Sequence, residues 1–409
     1  MNKFLLLKNR SFRSLYIGQT LSEFGGAVGA LMNALLLYEI TGSKAAMGTL
    51  WLLYFIPSLV IQLGAGPFID RFSRQRLMIV VQMIRFWTFL LPALLYLSGH
   101  LELWVLFFIQ IVLGIVQPLY TPAGLALLPA ILHNEDLVKG NAWMDGTMRL
   151  MSFLAPPAGA VLITLTDTAW LYGIVALLFL LSALGLRTLN EPQRTLNVRS
   201  SWSSQIQKGY QLFWHHKTLV WLTVFSGLVQ FGVGVTLVIN IPFIMDELNQ
   251  STVAYGWFAG MFPLGYVIGA YLTGKLTLPF SKQRVMFLGL FAGGLSFAGL
   301  AVSPNFAFAL ICELLGGIFF PFFNIHNAAF FQRSVTNEQA GVLFSIRLLI
   351  VRLSMPAGIA VGTLLVGTTD MRPLYLLIGL LIMTPALIGF THPYFSRFSE
   401  TSSPERKIG

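Results

Sequence analysis

The sequence predicts an all-α membrane protein with twelve transmembrane helices in two pseudo-symmetric six-helix bundles. Three observations predict it: long apolar runs, basic residues confined to alternate loops, and an internal repeat. Of 409 residues, 56% are hydrophobic and only 10% charged, and the mean hydropathy is +0.73. Soluble domains carry about 25% charged residues, so most of this surface cannot face water.

Taken in order, the first six spans fall at 13–38, 46–69, 76–98, 102–130, 141–165 and 168–187. The second six fall at 217–245, 254–275, 284–303, 305–331, 341–366 and 372–391. The runs Trp51–Ile69, Leu101–Leu132, Leu171–Leu186, Phe287–Val302 and Pro373–Phe390 show the pattern best. Each approaches the roughly 20 residues that carry a helix across about 30 Å of hydrocarbon. They are continuously apolar rather than alternating, which argues against barrel strands.

Between the spans, charge falls on one side. Lys3, Lys8, Arg10 and Arg13 precede the first span, and Arg71, Arg74 and Arg76 follow the second. Arg194, Arg199, Lys208 and Lys217 lie in the central linker, Lys275, Lys282 and Arg284 in the eighth loop, and Arg397, Arg406 and Lys407 in the tail. The other side shows only Lys44 and Arg372. The excess of cytosolic Lys and Arg in membrane proteins places both termini in the cytosol of a multi-pass cell-membrane protein. This distribution also accounts for the net charge of +10 without a nucleic-acid partner.

The domains predicted are a six-helix half at 1–187, a cytosolic linker at 188–216, a second half at 217–396 and a tail at 397–409. Trp202, Ile206, Tyr210 and Phe213 of the linker suit an amphipathic helix on the inner leaflet. The halves match in order. Phe72-Ser-Arg-Gln-Arg-Leu-Met78 recurs as Phe280-Ser-Lys-Gln-Arg-Val-Met286, and Gly114-Ile-Val-Gln-Pro-Leu-Tyr120 as Gly317-Ile-Phe-Phe-Pro-Phe-Phe323. Pro157-Ala-Gly159 recurs as Pro356-Ala-Gly358, and Phe24-Gly25 with Asn33 as Phe231-Gly232 with Asn240. Separations of about 200 to 208 positions in one order define a repeat. Six spans per half give both copies the same orientation.

Soluble-enzyme chemistry does not emerge. There is no Gly-rich loop ending in Lys-Ser/Thr, so ATP is not expected to drive the protein, and no cofactor is expected. His215 and His216 lack further ligands at metal spacing. Cys312 is the only cysteine, which excludes an internal disulfide. No cleavable signal peptide is evident.

Gly66-Pro-Phe-Ile-Asp-Arg-Phe-Ser-Arg-Gln-Arg76 is the most specific local signal. It resembles the Gly-x-x-x-Asp-Arg-x-x-Arg pattern between helices 2 and 3 of the major facilitator superfamily, matching at Gly66, Asp70, Arg71 and Arg74. The resemblance implies a cytosolic gate at these four residues, with Asp70 set against the positive end of helix 11. Phe12-Arg13-Ser-Leu-Tyr-Ile-Gly-Gln19, with Ser22, Gly25, Leu37-Tyr38 and Thr41-Gly42-Ser43, is similar to drug/proton antiporters of the macrolide-efflux type. Siderophore exporters of the enterobactin-export kind share it. The chain departs from that branch in three places: Gly26 stands where an acid is common, helix 4 lacks an arginine, and the helix 5 signature is reduced to Ala155-Pro156-Pro-Ala-Gly159.

A charge at the bilayer centre costs of order 2.5–3.5 kcal/mol, so those inside spans face partners or a cavity. Glu23, Arg85 and Arg149 all fall roughly 12–15 Å from the inner surface at 1.5 Å per residue. Asp145 precedes Arg149 by one turn on the same face. An acid–base cluster of these four is expected, with Glu23 and Asp145 as proton-coupling groups and Arg85, Arg149 and Arg352 as charge partners. Burial disfavours a charged carboxyl and a neighbouring guanidinium favours it, so a partner that moves can switch it. In the second half Glu313 lies in the outer part of helix 10, His326 near its cytosolic end, and Arg347 within helix 11.

Helices 1, 4, 7 and 10 line the path in families of this shape. By that resemblance the substrate cavity takes Gln19, Asn33, Gln117, Gln230, Asn240, Glu313 and Asn324. The function implied is export of amphipathic or lipophilic compounds by a monomer exchanging them for protons. The expected partners are a small-molecule substrate, protons and the lipid bilayer. Export of an endogenous anionic metabolite, such as a siderophore or lipid, and a non-transporting sensor on the same scaffold are the alternatives. Glu23 aligns with Gln230 and Asp70 with Leu278, so proton chemistry is expected mainly in the first half.

Overall fold

The computed structural model describes residues 5–191, 213–276, 279–335, 337–367 and 369–391. After a single helical turn at Leu5–Lys8 come α1 (Arg10–Thr41), α2 (Lys44–Arg71), α3 (Arg74–Leu97), α4 (Leu103–Ile131), α5 (Asn134–Leu165) and α6 (Thr168–Leu186). Then follow α7 (Lys217–Pro242), extended by a π-helical turn at Phe243–Glu247, and α8 (Thr252–Lys275), α9 (Lys282–Ala301), α10 (Phe306–Arg333), α11 (Asn337–Leu365) and α12 (Met371–Thr391). Among the described residues all regular structure is helical, and twelve helices are long and apolar enough to cross a membrane.

The helices outrun the predicted spans at several ends. α5 begins at Asn134, seven positions before the predicted 141, because hydropathy reports only the lipid-soluble part of a helix. Its polar first turn carries Glu135 and Asp136, which suit the positive end of the helix dipole. Ends are set by short polar side chains. Asn9, Ser43, Ser73, Ser281 and Asn305 each accept a bond from a backbone N–H three residues on. Gly42 closes α1 at φ 56°, a left-handed conformation that glycine adopts without penalty.

The chain divides into two compact units. One comprises Met1–Val198 with Gln250–Gly260, the other Arg199–Asn249 with Met261–Gly409. In the first, α1 packs on α5 and α6, α2 on α4, and α3 on α4 and α6. In the second, α7 packs on α11 and α12, and α9 on α10 and α12. Gly265 and Gly269 bring α8 against α10. The packing scheme therefore repeats with the sequence.

Paired glycines set the seams. A Cβ on Gly114 would meet the carbonyl oxygen of Tyr54, and one on Gly317, its repeat partner, the carbonyl oxygen of Phe262. Without a strong hydrophobic drive between helices in lipid, such backbone approach is what dispersion and weak polar contacts act through. The linker positions Trp202, Ile206 and Tyr210 lie outside the described residues. Phe213 is fully buried with Leu219, Phe331, Leu343 and Ile346.

Candidate functional site

A polar cage lies inside the first unit. Gln19, Ser22 and Glu23 occupy one face of α1, since residues three and four apart stack on a helix. α3 faces them with Gln82 and Arg85, also three apart, while α4 supplies Tyr120 and α6 supplies Ser182 and Phe179. Arg85 is 1% exposed. Its Nη1 donates to Ser22 Oγ at 2.9 Å and to Gln82 Oε1 at 3.2 Å. Gln82 Nε2 donates onward to Ser182 Oγ at 2.6 Å, and Ser182 donates to the Gly18 carbonyl at 2.7 Å. These bonds tie three helices around one guanidinium.

The cation is held by ring faces as much as by oxygens. The Arg85 guanidinium carbon sits 5.1 Å from the Tyr120 ring centre and 5.4 Å from that of Phe179. A desolvated cation–π contact is worth about 2 kcal/mol, and burying an arginine at mid-membrane costs roughly 2.5–3.5 kcal/mol. The two rings thus offset most of the burial cost, and Arg85 can stay charged without a carboxylate bonded to it. Among the described residues it makes no ion pair, and its Nε and Nη2 are buried without a hydrogen bond.

Glu23 stands beside this cage, within electrostatic reach of Arg85. Gln19 Nε2 donates to Glu23 Oε1 at 2.7 Å. The carboxyl is therefore held by a neutral amide one turn away while a buried cation with unused donors lies near. Protonation of Glu23 weakens its attraction to Arg85 and its ionisation strengthens it.

The repeat sharpens this. Ser22, Gln82, Arg85 and Ser182 align with Val229, Leu290, Gly293 and Pro385, so the second unit has none of these polar groups. At Gly293 the Phe320 ring packs where an arginine side chain would begin. A scaffold feature survives in both copies; this one belongs to the first copy alone.

The other sequence-predicted residues separate into groups. Asp145 and Arg149 pair with each other at 2.9 Å, with side chains 62% and 38% exposed. The four-member cluster thus resolves into a buried centre at Glu23 and Arg85 and an open pair one helix away. Asn33 is fully buried, donating to the Leu106 carbonyl at 3.0 Å and accepting from Tyr172 Oη at 3.2 Å. Asn240 repeats the motif, accepting from Tyr375 Oη at 2.6 Å. Both asparagines sit at helix seams.

Gln117, Gln230, Glu313 and Asn324 are part-buried, and Asn324 lies 3.5 Å from Tyr266 Oη. Arg352 is exposed on α11, and Arg347 lies over the Phe331 ring at 4.6 Å. The side chains of Gly66, Asp70 and Arg71 lie outside the described residues. Arg74 donates from its guanidinium to the Ala126 carbonyl on α4.

Sequence reading missed Gln82, Tyr120, Ser182 and Glu191. Gln82 carries a signal, being one turn from Arg85 in an apolar span. Glu191 carries none: its carboxylate accepts from Ser73 Oγ at 2.6 Å and from the backbone N–H groups of Arg74 and Gln75 at 3.1 Å, a contact across more than a hundred residues. Among the described residues no group of His, Cys, Asp and Glu is placed to hold a metal ion.

Known proteins agree with this architecture. Macrolide efflux protein A of Streptococcus pyogenes is 24% identical over 92% of this chain and 94% of its own. Enterobactin exporter EntS of Escherichia coli O1:K1 / APEC is 24% identical over 78% of this chain and 76% of its own. The fold resembles that of the nucleoside transporter NupG, with a TM-score of 0.71 at 14% identity over 92% of this chain and 98% of that one. It also resembles a bacterial homologue of the iron transporter ferroportin, with a TM-score of 0.72 at 16% identity over 95% and 98% of the two chains. The sequence profile of the Major Facilitator Superfamily matches residues 15–239 and 225–405, nearly the whole chain, and the chain belongs to this superfamily of membrane transporters.

Proposed function

We propose that this transporter exports an amphipathic or lipophilic compound from the cytosol by alternating access, in exchange for protons that Glu23 carries. The observation that supports this reading is the carboxyl of Glu23 beside the buried Arg85, whose Nε and Nη2 have no hydrogen bond. When ionised, Glu23 is drawn toward those donors; when protonated, it is held by Gln19 and no longer neutralises the cation. A proton entering the cage therefore changes the force between α1 and α3, which gives the exchange a physical link to helix movement. Efflux by two relatives supports the direction. Gln117, Gln230, Glu313 and Asn324 are part-buried polar groups suited to substrate contact, and Arg74 with Asp70 and Arg71 serves the cytosolic gate. The protein acts as a monomer in the cell membrane with both termini in the cytosol.

The test uses purified protein in liposomes with an imposed pH gradient and two probes, a macrolide and a lipophilic cation. Glu23→Gln is expected to lower gradient-driven transport at least tenfold while substrate exchange without a gradient persists. Undiminished gradient-driven transport by Glu23→Gln would remove the carrier role. Transport of an anionic siderophore alone, with neither probe moved, would favour the metabolite exporter instead.

A further inference from the structure

The repeat places one capped helix N-terminus twice, and among the described residues only the first copy holds a carboxylate of the chain. In the first unit the N-terminus of α3 holds a carboxylate: Glu191 accepts from Ser73 Oγ and from the N–H groups of Arg74 and Gln75. Gln75 Nε2 braces the site by donating to the Leu186 carbonyl. In the second unit the N-terminus of α9 repeats this backbone. Ser281 caps it as Ser73 caps α3, and Gln283 Nε2 lies 3.5 Å from the carbonyl of Gly389, which aligns with Leu186. The position aligned with Glu191 is Tyr394, so the aligned residue carries no carboxylate.

A second difference lies beside the first. Arg74 reaches across to the carbonyl of Ala126 on α4. Its counterpart Lys282 is exposed, and next to Ala329, which aligns with Ala126, a cavity of about 430 Å³ opens among α8, α9 and α10. Lys282, His326 and Arg333 supply its polar side. Leu276, Phe280 and Ile325 supply an apolar side, and they are 49%, 51% and 40% exposed. A helix N-terminus whose twin binds a carboxylate, with two cations and a cavity, suits a phosphate group. The exposed apolar side chains suit a hydrocarbon chain, which a soluble phosphate would leave in water. The basic loop faces the leaflet where anionic lipids collect.

We propose that this groove binds one anionic phospholipid of the inner leaflet, its phosphate at the N-terminus of α9 with Lys282 and Arg333, and an acyl chain along Leu276, Phe280 and Ile325. The site is separate from the Glu23 cage and lies wholly within the second unit.

Full-length protein in detergent is titrated with dioleoyl phosphatidylglycerol, and bound lipid is counted by native mass spectrometry. One tightly retained lipid per chain is expected, with dioleoyl phosphatidylcholine failing to displace it and the Lys282→Gln/Arg333→Gln variant losing at least tenfold in affinity. Ala329→Leu, which narrows the cavity and leaves every charge in place, is expected to weaken lipid retention too. Unchanged retention in both variants would overturn the site, as would equal protection against heat by millimolar inorganic phosphate. Lipid binding that emerges only in Glu400→Gln would overturn it as well, because the tail's own carboxylate would then be the occupant.

Discussion

Arg85 and Asn33 are both buried polar residues inside apolar helices, yet they are bonded differently. Asn33 exchanges hydrogen bonds with the Leu106 carbonyl and Tyr172, and Asn240 keeps the tyrosine partner in the second copy. A group kept in both copies of a repeat with its partner serves the scaffold. Arg85 has no counterpart, leaves two nitrogens unbonded, and stands near a carboxyl. The two cases predict opposite outcomes. Asn33→Ala is expected to lower stability by about 1 kcal/mol, the size of an interhelical hydrogen bond in a membrane, while the folded fraction still transports. Arg85→Met removes an incompletely bonded buried charge and keeps the bulk, so the melting temperature is expected to hold or rise. Its proton-driven transport is expected to fall at least tenfold. Melting of both variants in detergent, read beside transport, checks the pair. A stable Arg85→Met variant with full coupling would make Arg85 a structural residue.

The helices meet through glycines at matched positions. Gly317 and Gly265 lie against each other's helix so closely that the backbones touch, and Gly114 does the same against Tyr54. Replacing such a glycine by a branched residue pushes two helices apart along their whole contact. Gly317→Val is expected to cost several kcal/mol, beyond the 1–3 kcal/mol of ordinary overpacking, because the obstacle is backbone and cannot turn aside. The expected readout is loss of a monodisperse peak in size-exclusion chromatography. Gly173→Ala, where an added Cβ meets nothing within 4 Å, is expected to leave the peak unchanged. The helix termini follow the same local logic. Serine and asparagine caps begin five of the long helices, and Glu191 adds a charged cap to α3 from a distant part of the sequence.

For the whole molecule, the one-sided distribution of Lys and Arg predicts topology. A fluorescent protein fused after Gly409 is expected to fluoresce, and alkaline phosphatase at the same place to be inactive, because the first folds in the cytosol and the second outside it. The reverse pair of results would invert the chain in the membrane. The two compact units carry the same packing scheme but unequal chemistry. Ser22, Gln82, Arg85 and Ser182 are replaced by apolar residues or glycine in the second unit, which has instead a cavity beside the start of α9 lined by Lys282, His326 and Arg333. Duplication explains the shared scaffold, and divergence of buried polar residues is where the two copies separate.

The sequence by itself determined the class of fold, the number of spans and the repeat. Each rests on composition summed over about twenty residues or on order along the chain, and neither needs knowledge of which helices touch. It also singled out Glu23 and Arg85, because a charge in an apolar span is costly enough to be informative wherever its partners lie. Tertiary structure alone decided which polar residues meet. It separated Asp145 and Arg149 from the buried centre, moved Asn33 and Asn240 to helix seams, and brought Gln82, Tyr120 and Ser182 around Arg85. Hydropathy treats a helix as a cylinder with no front or back. Only packing against neighbours chooses the face, and a rotation of one or two residues carries a side chain from a seam to a cavity or to lipid.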